Sequence, residues 1–312
     1  DSNILDQVRG IFANLDAQYT FLTSIDKNRE EAHEMIDFIN DFASTSSHIN
    51  VAHTEATADK LEFSILKNDE HTGITFRGIP NGHEFTSLLL AILNADGKGK
   101  NLPDEAIARR IKALKGNVKL QTYVSLTCTN CPDIVQALNI MAIINPNISH
   151  EMIDGALFQA EADAMKIQAV PTVYANEKML HVGRGTLGEL LEKLENEVGS
   201  IADDNFEPVI RHYDVIVVGG GPAGSSAAIY SARKGLKVAV VAENVGGQVK
   251  ETVAIENLIS VPHTTGAELA NSLRSHINDY PIDIFENRRI EKADLQGPLK
   301  SITAVGGEVF TA

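Results

Sequence analysis

The chain has 312 residues, 43% of them hydrophobic, enough to bury a core and make two or three domains. Its 27 basic and 42 acidic residues leave a formal charge of −15, which repels phosphate backbones and anionic lipid and argues against nucleic acid as a partner. No run approaches the roughly 18 apolar residues that span a bilayer, and the start D-S-N-I-L-D-Q-V-R-G lacks the basic-then-apolar order of a secretion signal, so a soluble cytoplasmic protein is expected, with no membrane partner.

The first 200 residues read as two similar halves. Residues 6–15 carry apolar side chains at helical spacing, and 19–25 (Y-T-F-L-T-S-I) have the β-branched and aromatic enrichment of a strand. An amphipathic helix over about 29–42 follows, then strands over 49–53, 61–66 and 75–77, and a helix over 83–93. The order repeats with a helix over 104–114, a strand over 118–125 (V-K-L-Q-T-Y-V-S), a helix over 131–144, strands over 149–153, 172–174 and 179–182, and a helix over 187–198. The period is about 100 residues. Helix-strand-helix-strand, then a strand pair and a last helix, is the order of a thioredoxin-like unit, so an α/β fold with two such units in tandem is expected, over 1–102 and 103–199.

Only the second half carries cysteines. At the matching place the first reads S-I-D-K-N-R-E-E, and it lacks the proline of A-V-P-T at Pro171, so the first half reads as structural or modulatory. Residues 200–212 break the periodicity as a linker does. Beyond them, an apolar strand over 214–218 runs into G-G-G-P-A-G-S-S-A-A-I-Y-S-A-R-K-G and a second strand over 237–242, the strand, glycine turn, helix and strand of a Rossmann-like nucleotide-binding domain over 213–312.

Cys128 and Cys131, in S-L-T-C-T-N-C-P-D-I-V, are the sole cysteines. Their spacing puts Cys128 at a helix N-terminus, where unpaired backbone N–H groups and the helix dipole favour a thiolate, and Pro132 suits a first helical turn. Cys128 could then attack a partner disulfide, and the more buried Cys131 could resolve the mixed disulfide. Pro171, if its peptide bond is cis, would lie beside the pair and leave neighbouring backbone free for a substrate strand. Two other readings remain open: half of a zinc site and an inert pair. Zinc would need two further ligands, and no second cysteine pair or histidine pair at ligand spacing is present, so no metal is expected.

In the third region Gly219, Gly221 and Gly224 form a G-x-G-x-x-G that follows a strand and opens a helix, as a dinucleotide fingerprint requires. Gly219 makes the turn, Gly221 lets backbone approach a pyrophosphate, and Gly224 allows the helix to pack closely on the strand. Glu243, at the end of the second strand, suits a ribose hydroxyl. A loop glycine cluster beside a solvated Glu is the plainer alternative.

With these motifs placed, the chain resembles the flavoprotein component of bacterial alkyl hydroperoxide reductase, the AhpF family, across its whole length. The resemblance rests on the tandem thioredoxin-like arrangement, S-L-T-C-T-N-C-P-D-I-V-Q-A-L-N, G-H-E-F-T-S-L at 82–88, Y-D-V-I-V-V-G-G-G-P-A-G with A-A-I-Y-S-A-R-K-G, G-G-Q at 246–248 and I-E-N-L-I-S-V-P at 255–262. It implies a relay in which NADH reduces FAD, FAD reduces a dithiol, that dithiol reduces Cys128 and Cys131, and they reduce an AhpC-type peroxiredoxin that removes hydroperoxides. It implies that Asp214, Gly219, Gly220, Gly221, Pro222, Ala223 and Gly224 hold the FAD pyrophosphate. Glu243, Gly246, Gly247, Gln248 and Asn257 would line the rest of the flavin nucleotide. Glu84 matches the family's acidic residue near the cysteine pair, a proton donor or acceptor in exchange; its plainer reading is a carboxylate stabilised by a helix N-terminus. A homodimer is a family expectation.

The sequence begins without Met and stops at G-G-E-V-F-T-A, which reads as a hairpin strand inside the FAD domain. It carries no second G-x-G-x-x-G for NADH and no second Cys-x-x-Cys. The expectation is the first three-fifths of a longer protein, with the NADH-binding domain elsewhere in it and the full reaction beyond this chain alone. A thioredoxin reductase fused to thioredoxin and a non-enzymatic docking module are the alternatives; the fusion does not account for a cysteine-free half.

Overall fold

The computed structural model describes residues 2–55, 58–201 and 208–312. Its contacts divide the chain into two units, Asp1–Ile201 and Ala202–Ala312. Of the expected linker, residues 202–207 lie outside the described residues.

The first unit begins with α1 (Ser2–Phe12), β1 (Tyr19–Ile25), α2 (Ala32–Ala43), β2 (Ile49–His53), β3 (Leu61–Lys67) and β4 (Glu70–Arg77); a 3-10 turn, Gly82–Glu84, then leads into α3 (Phe85–Ala95). It continues with α4 (Glu105–Lys112), β5 (Val118–Val124), α5 (Cys131–Ile144), β6 (Ile148–Asp154), α6 (Gln159–Ala164), β7 (Thr172–Ala175), β8 (Lys178–Val182) and α7 (Leu187–Val198). The tandem thioredoxin-like order is therefore present. The two halves share one eight-stranded sheet, in the order β2-β1-β3-β4-β6-β5-β7-β8, joined where β4 pairs in parallel with β6 from Ile74 opposite His150 to Arg77 opposite Ile153.

That seam explains why β4 is longer than its composition predicts. E-H-T-G is poor strand material, but β3 on one side and β6 on the other supply backbone partners. Gly73, at φ +84°, fits because a Cβ there would lie 2.6 Å from the Ile148 carbonyl oxygen. The short helix α6 does not follow from the sequence pattern: Q-A-E-A-D-A buries only Ala162 and so has no apolar stripe to read.

One hydrophobic core runs through both halves. Alternation along β1 buries Tyr19, Phe21 and Thr23, and Phe21 packs edge-on against Phe63, with ring centroids 5.2 Å apart, while Phe63 stacks on Phe76 at 5.3 Å. At the seam, the guanidinium groups of Arg29 and Arg77 lie 5.1 and 4.4 Å from the ring centre of Phe158, between β6 and α6. Arg29 also donates to the Leu157 carbonyl at 2.9 Å, and Arg77 forms a two-pronged pair with Glu161 at 2.9 and 2.6 Å.

The second unit comprises β9 (Ile210–His212), β10 (Val215–Gly220), α8 (Pro222–Ala232), β11 (Val238–Val245), a 3-10 turn (Gly247–Glu251), α9 (Gly266–Asn278), β12 (Ile282–Phe285), β13 (Ile290–Asp294), β14 (Ser301–Ala304) and β15 (Val309–Thr311). β10, β11 and β12 form a parallel sheet, the start of the expected Rossmann-like domain, and β13-β14-β15-β9 form a second sheet. The G-G-E-V-F-T-A segment closes the β14–β15 hairpin, as its sequence predicts. Among the described residues no helix is long and apolar enough to cross a membrane.

Candidate functional site

Cys131 opens α5 and is fully buried; Cys128, three residues earlier, is half-buried. The two sulfurs form a disulfide with Cα atoms 5.5 Å apart. The Cys131 N–H, one of the helix's unpaired N-terminal donors, points at Cys128 Sγ at 3.1 Å. Pro132 follows within the first helical turn, where its missing N–H leaves no gap. The Val170–Pro171 peptide is cis, and the Val170 carbonyl oxygen lies 3.8 Å from Cys128 Sγ, so the loop before β7 borders the disulfide. Among the described residues no group of three or more His, Cys, Asp and Glu is placed to hold a metal ion.

The first half reaches this site through the Gly82–Glu84 turn. Gly82 packs so closely on Leu126 that a Cβ would lie 2.6 Å from the Leu126 carbonyl oxygen, and the His83 N–H donates to that same oxygen at 3.1 Å. Glu84 is fully buried, and its two carboxyl oxygens have no hydrogen-bond partner; it sits at the N-cap of α3 without making a capping bond. Burial pushes its pKa up to about 7; the neighbouring Ser87 hydroxyl opposes the shift, and the Asp133 carboxylate in the first turn of α5 adds to it. A carboxyl that is neutral or charged near pH 7 is thus placed against the helix turn that carries Cys131.

In the second unit, the glycine residues meet where β10 turns into α8. Gly219 adopts φ +106°, and Gly224 lets α8 sit on β10, since a Cβ there would lie 2.0 Å from the Gly219 carbonyl oxygen. Gly221 is the N-cap of α8, Pro222 follows it, and with Ala223 they present a helix N-terminus that no side chain caps. Gly220 approaches β11 closely and its carbonyl accepts from the Gly246 N–H at 2.8 Å, which brings Gly246 and Gly247 to the same turn; the Asn244 side chain holds the Gly247 N–H at 2.9 Å. The uncapped N-terminus of α8, set in a turn made of glycines, fits a nucleotide pyrophosphate.

The remaining expected residues spread out. Glu243, near the end of β11, pairs with Arg289 at 3.0 Å and is partly exposed, open to a ribose hydroxyl. Gln248 and Asn257 lie on segments after β11, away from the core. Asp214 is not brought to the glycine turn. It precedes β10 at the opposite end of that strand, where its carboxylate accepts from the Lys237 N–H at 2.8 Å and ties the starts of β10 and β11 together. Sequence reasoning does not single out Asp133, Asn244 or Arg184, whose guanidinium contacts Asn130 between the cysteines. The G-R-G triplet around Arg184 is the available clue.

Comparison with known proteins matches residues 118–196 to a thioredoxin domain family and 213–304 to the pyridine nucleotide-disulphide oxidoreductase family. The chain is 44% identical over 298 residues to a Bacillus subtilis protein named NADH dehydrogenase, covering 95% of this chain and 57% of that protein. It is 41% identical over 293 residues to the AhpF component of alkyl hydroperoxide reductase from Pseudomonas aeruginosa, covering 94% and 56% respectively. The chain therefore spans rather more than half the length of these relatives. A crystal structure of the NTD_N/C domain of alkylhydroperoxide reductase AhpF from Enterococcus faecalis superposes with a TM-score of 0.57 at 32% identity, covering 62% of this chain and 99% of that one. With the paired halves, the disulfide and the glycine turn in place, these matches establish that the chain belongs to the AhpF family of alkyl hydroperoxide reductase components.

Proposed function

We propose that this chain is the electron-delivering part of an NADH-dependent, FAD-containing disulfide reductase whose Cys128 and Cys131 reduce an AhpC-type peroxiredoxin. The observation that carries the reading is the half-buried Cys128 at the start of α5, with the Cys131 N–H on its sulfur and a buried Glu84 carboxyl supplied by the other half. In the dithiol state, the Cys128 thiolate attacks one sulfur of the partner's disulfide and releases the partner's other sulfur as a thiolate. Cys131 then loses its proton and attacks Cys128 Sγ, which breaks the mixed disulfide and restores the Cys128–Cys131 bond. The partner gains two electrons and, with two protons, two thiols. Glu84, with its pKa near 7, is suited to take the Cys131 proton in this direction and return it in the reverse.

The turn formed by Gly219 to Gly224 with Gly246 and Gly247 is suited to hold the FAD pyrophosphate, with Glu243 for the ribose. FAD bound there would supply a carrier able to accept a hydride from NADH and to pass two electrons on to a disulfide. A pair that cycles between dithiol and disulfide suits a reducing compartment, which favours the cytoplasm.

Cys128→Ser tests the reading. In the complete protein, NADH-driven reduction of the peroxiredoxin disulfide should fall by about a thousandfold or more, because Cys131 is buried and cannot substitute. Transfer that survives the substitution would remove Cys128 from the route.

A further inference from the structure

The turn between β8 and α7 places a cation against the residues between the two cysteines, and the local sequence is built to hold it there. His181 on β8 is buried, and its Nδ1 lies 2.7 Å from the Lys193 ammonium, which can only donate. Nδ1 is therefore the acceptor, and Nε2 carries the hydrogen that it shares between the carbonyl oxygens of Gly183 at 3.0 Å and Arg184 at 2.8 Å. Gly183 adopts φ +85°, and a Cβ on Gly185 would lie 2.8 Å from His181 Nε2 and 3.2 Å from Ile134 on α5. The ring thus clamps the turn down on α5. From that turn Arg184 Nε donates to Asn130 Oδ1 at 2.9 Å.

Asn130 is the N-cap of α5, yet its side chain makes no capping bond. A cap with extended backbone would accept from the second or third N–H of its helix and offset part of the terminus's positive charge; Asn130, at φ −98° and ψ −14°, is helical, so its oxygen is not committed to the terminus. Here the oxygen is turned toward Arg184. We infer that Arg184 is a positioning residue for the Cys128 thiolate: it fixes the Asn130 side chain, whose oxygen leaves the terminal N–H groups to the sulfur, and adds its own positive charge beside the pair. The inference rests on the reading that Cys128 is the attacking thiol. Opposing charges face the same helix turn, with Asp133 on α5 itself and Glu84 from the first half, beside His83 on the same 3-10 turn. On the Arg184 side, Glu189 lies 3.8 Å from His181 Nδ1 and 3.1 Å from Lys193. The positive helix end and Arg184 offset these carboxylates at the sulfur.

The test is the rate of iodoacetamide alkylation of Cys128 against pH, in the 312-residue chain carrying Cys131→Ser so that a single thiol reports. Arg184 is exposed, so its replacement leaves the core intact. Arg184→Gln should raise the titration midpoint by about half to one pH unit, and Arg184→Lys, which keeps the charge, should stay well below that shift. An unmoved midpoint in Arg184→Gln, or equal upward shifts in the Gln and Lys variants, overturns the inference. The measurement needs no partner, so failure here leaves the Cys128→Ser transfer test untouched, and failure there leaves this titration standing.

Discussion

Arg29 and Cys128 stand at corresponding places in two copies of one motif. The copies run at an offset of 99 residues: β1 begins at Tyr19 and β5 at Val118, while α2 begins at Ala32 and α5 at Cys131. At that offset Ala32 corresponds to the buried Cys131, and is itself buried, while Arg29 corresponds to the half-buried Cys128. The loop that delivers a sulfur to the helix start in one half delivers a guanidinium in the other, and Arg29 uses it to hold the Leu157 carbonyl and the Phe158 ring of its neighbour. The same strand-to-helix geometry thus serves redox chemistry when the side chain is a thiol and cohesion when it is an arginine. The first half also places the buried Glu84 near the first turn of α5, the carboxyl to which the proposal above gives a part in the exchange.

The strongest way to test that second contribution is pH. Glu84 has a folded-state pKa raised to about 7 by burial, from an ordinary 4.5. The folded state therefore prefers the protonated carboxyl. The stability this confers is fully present below about pH 4.5 and is lost as pH rises through 7, a change of about 3 kcal/mol. His150, buried with its pKa lowered to about 3, adds stability as pH rises over part of the same range, so the loss is read as a difference. In urea denaturation at a series of pH values, the unaltered chain should lose about 3 kcal/mol relative to Glu84→Gln, which keeps the shape without the ionisation, between about pH 4.5 and 7. Equal pH profiles for the two would mean that Glu84 is solvated, and its role beside the cysteines would go with it.

A smaller effect is expected at the seam. Phe158 is half-buried between two guanidinium groups and packs on both the main core and the small cluster of Tyr123, Ile153 and Tyr174. Phe158→Ala should lower unfolding stability by about 2–3 kcal/mol, read as an earlier urea midpoint. It should leave the Cys128 alkylation profile in place, because the ring serves Arg29, Arg77 and that cluster. If the alkylation profile moves with it, the seam and the redox site are coupled and the two loops do not act as separate devices.

Much of this architecture is legible in the chain because strand and helix periodicities are local. The 19–25 strand and the 131–144 helix are where apolar spacing puts them, and the C-T-N-C-P stretch announces its own helix start. The seam is not legible: β4 and β6 pair through backbone groups across more than 70 residues of sequence, and nothing in E-H-T-G-I-T-F-R marks it for two partners. Nor can composition reveal that Glu84 is stripped of partners, since G-H-E-F reads equally well as an exposed helix start. Asp214 shows the opposite error. A residue carried along with a motif can serve the fold at the strand's far end, as its bond to the Lys237 N–H does.

The smallest expected effect bears most directly on Arg29. Its side chain is held by Glu31 at 3.2 Å, Asp59 at 3.3 Å and Leu157 at 2.9 Å, so Arg29→Ala removes several bonds that water can partly replace at a seam edge. We expect a loss of about 1 kcal/mol. A double-mutant cycle with Phe158→Ala isolates the contribution made through the ring: if Arg29 bridges the halves through it, the two losses together should fall short of their sum by about 0.5 kcal/mol or more. Strict additivity would mean that Arg29 spans the seam through the Leu157 carbonyl alone and gains nothing from the ring.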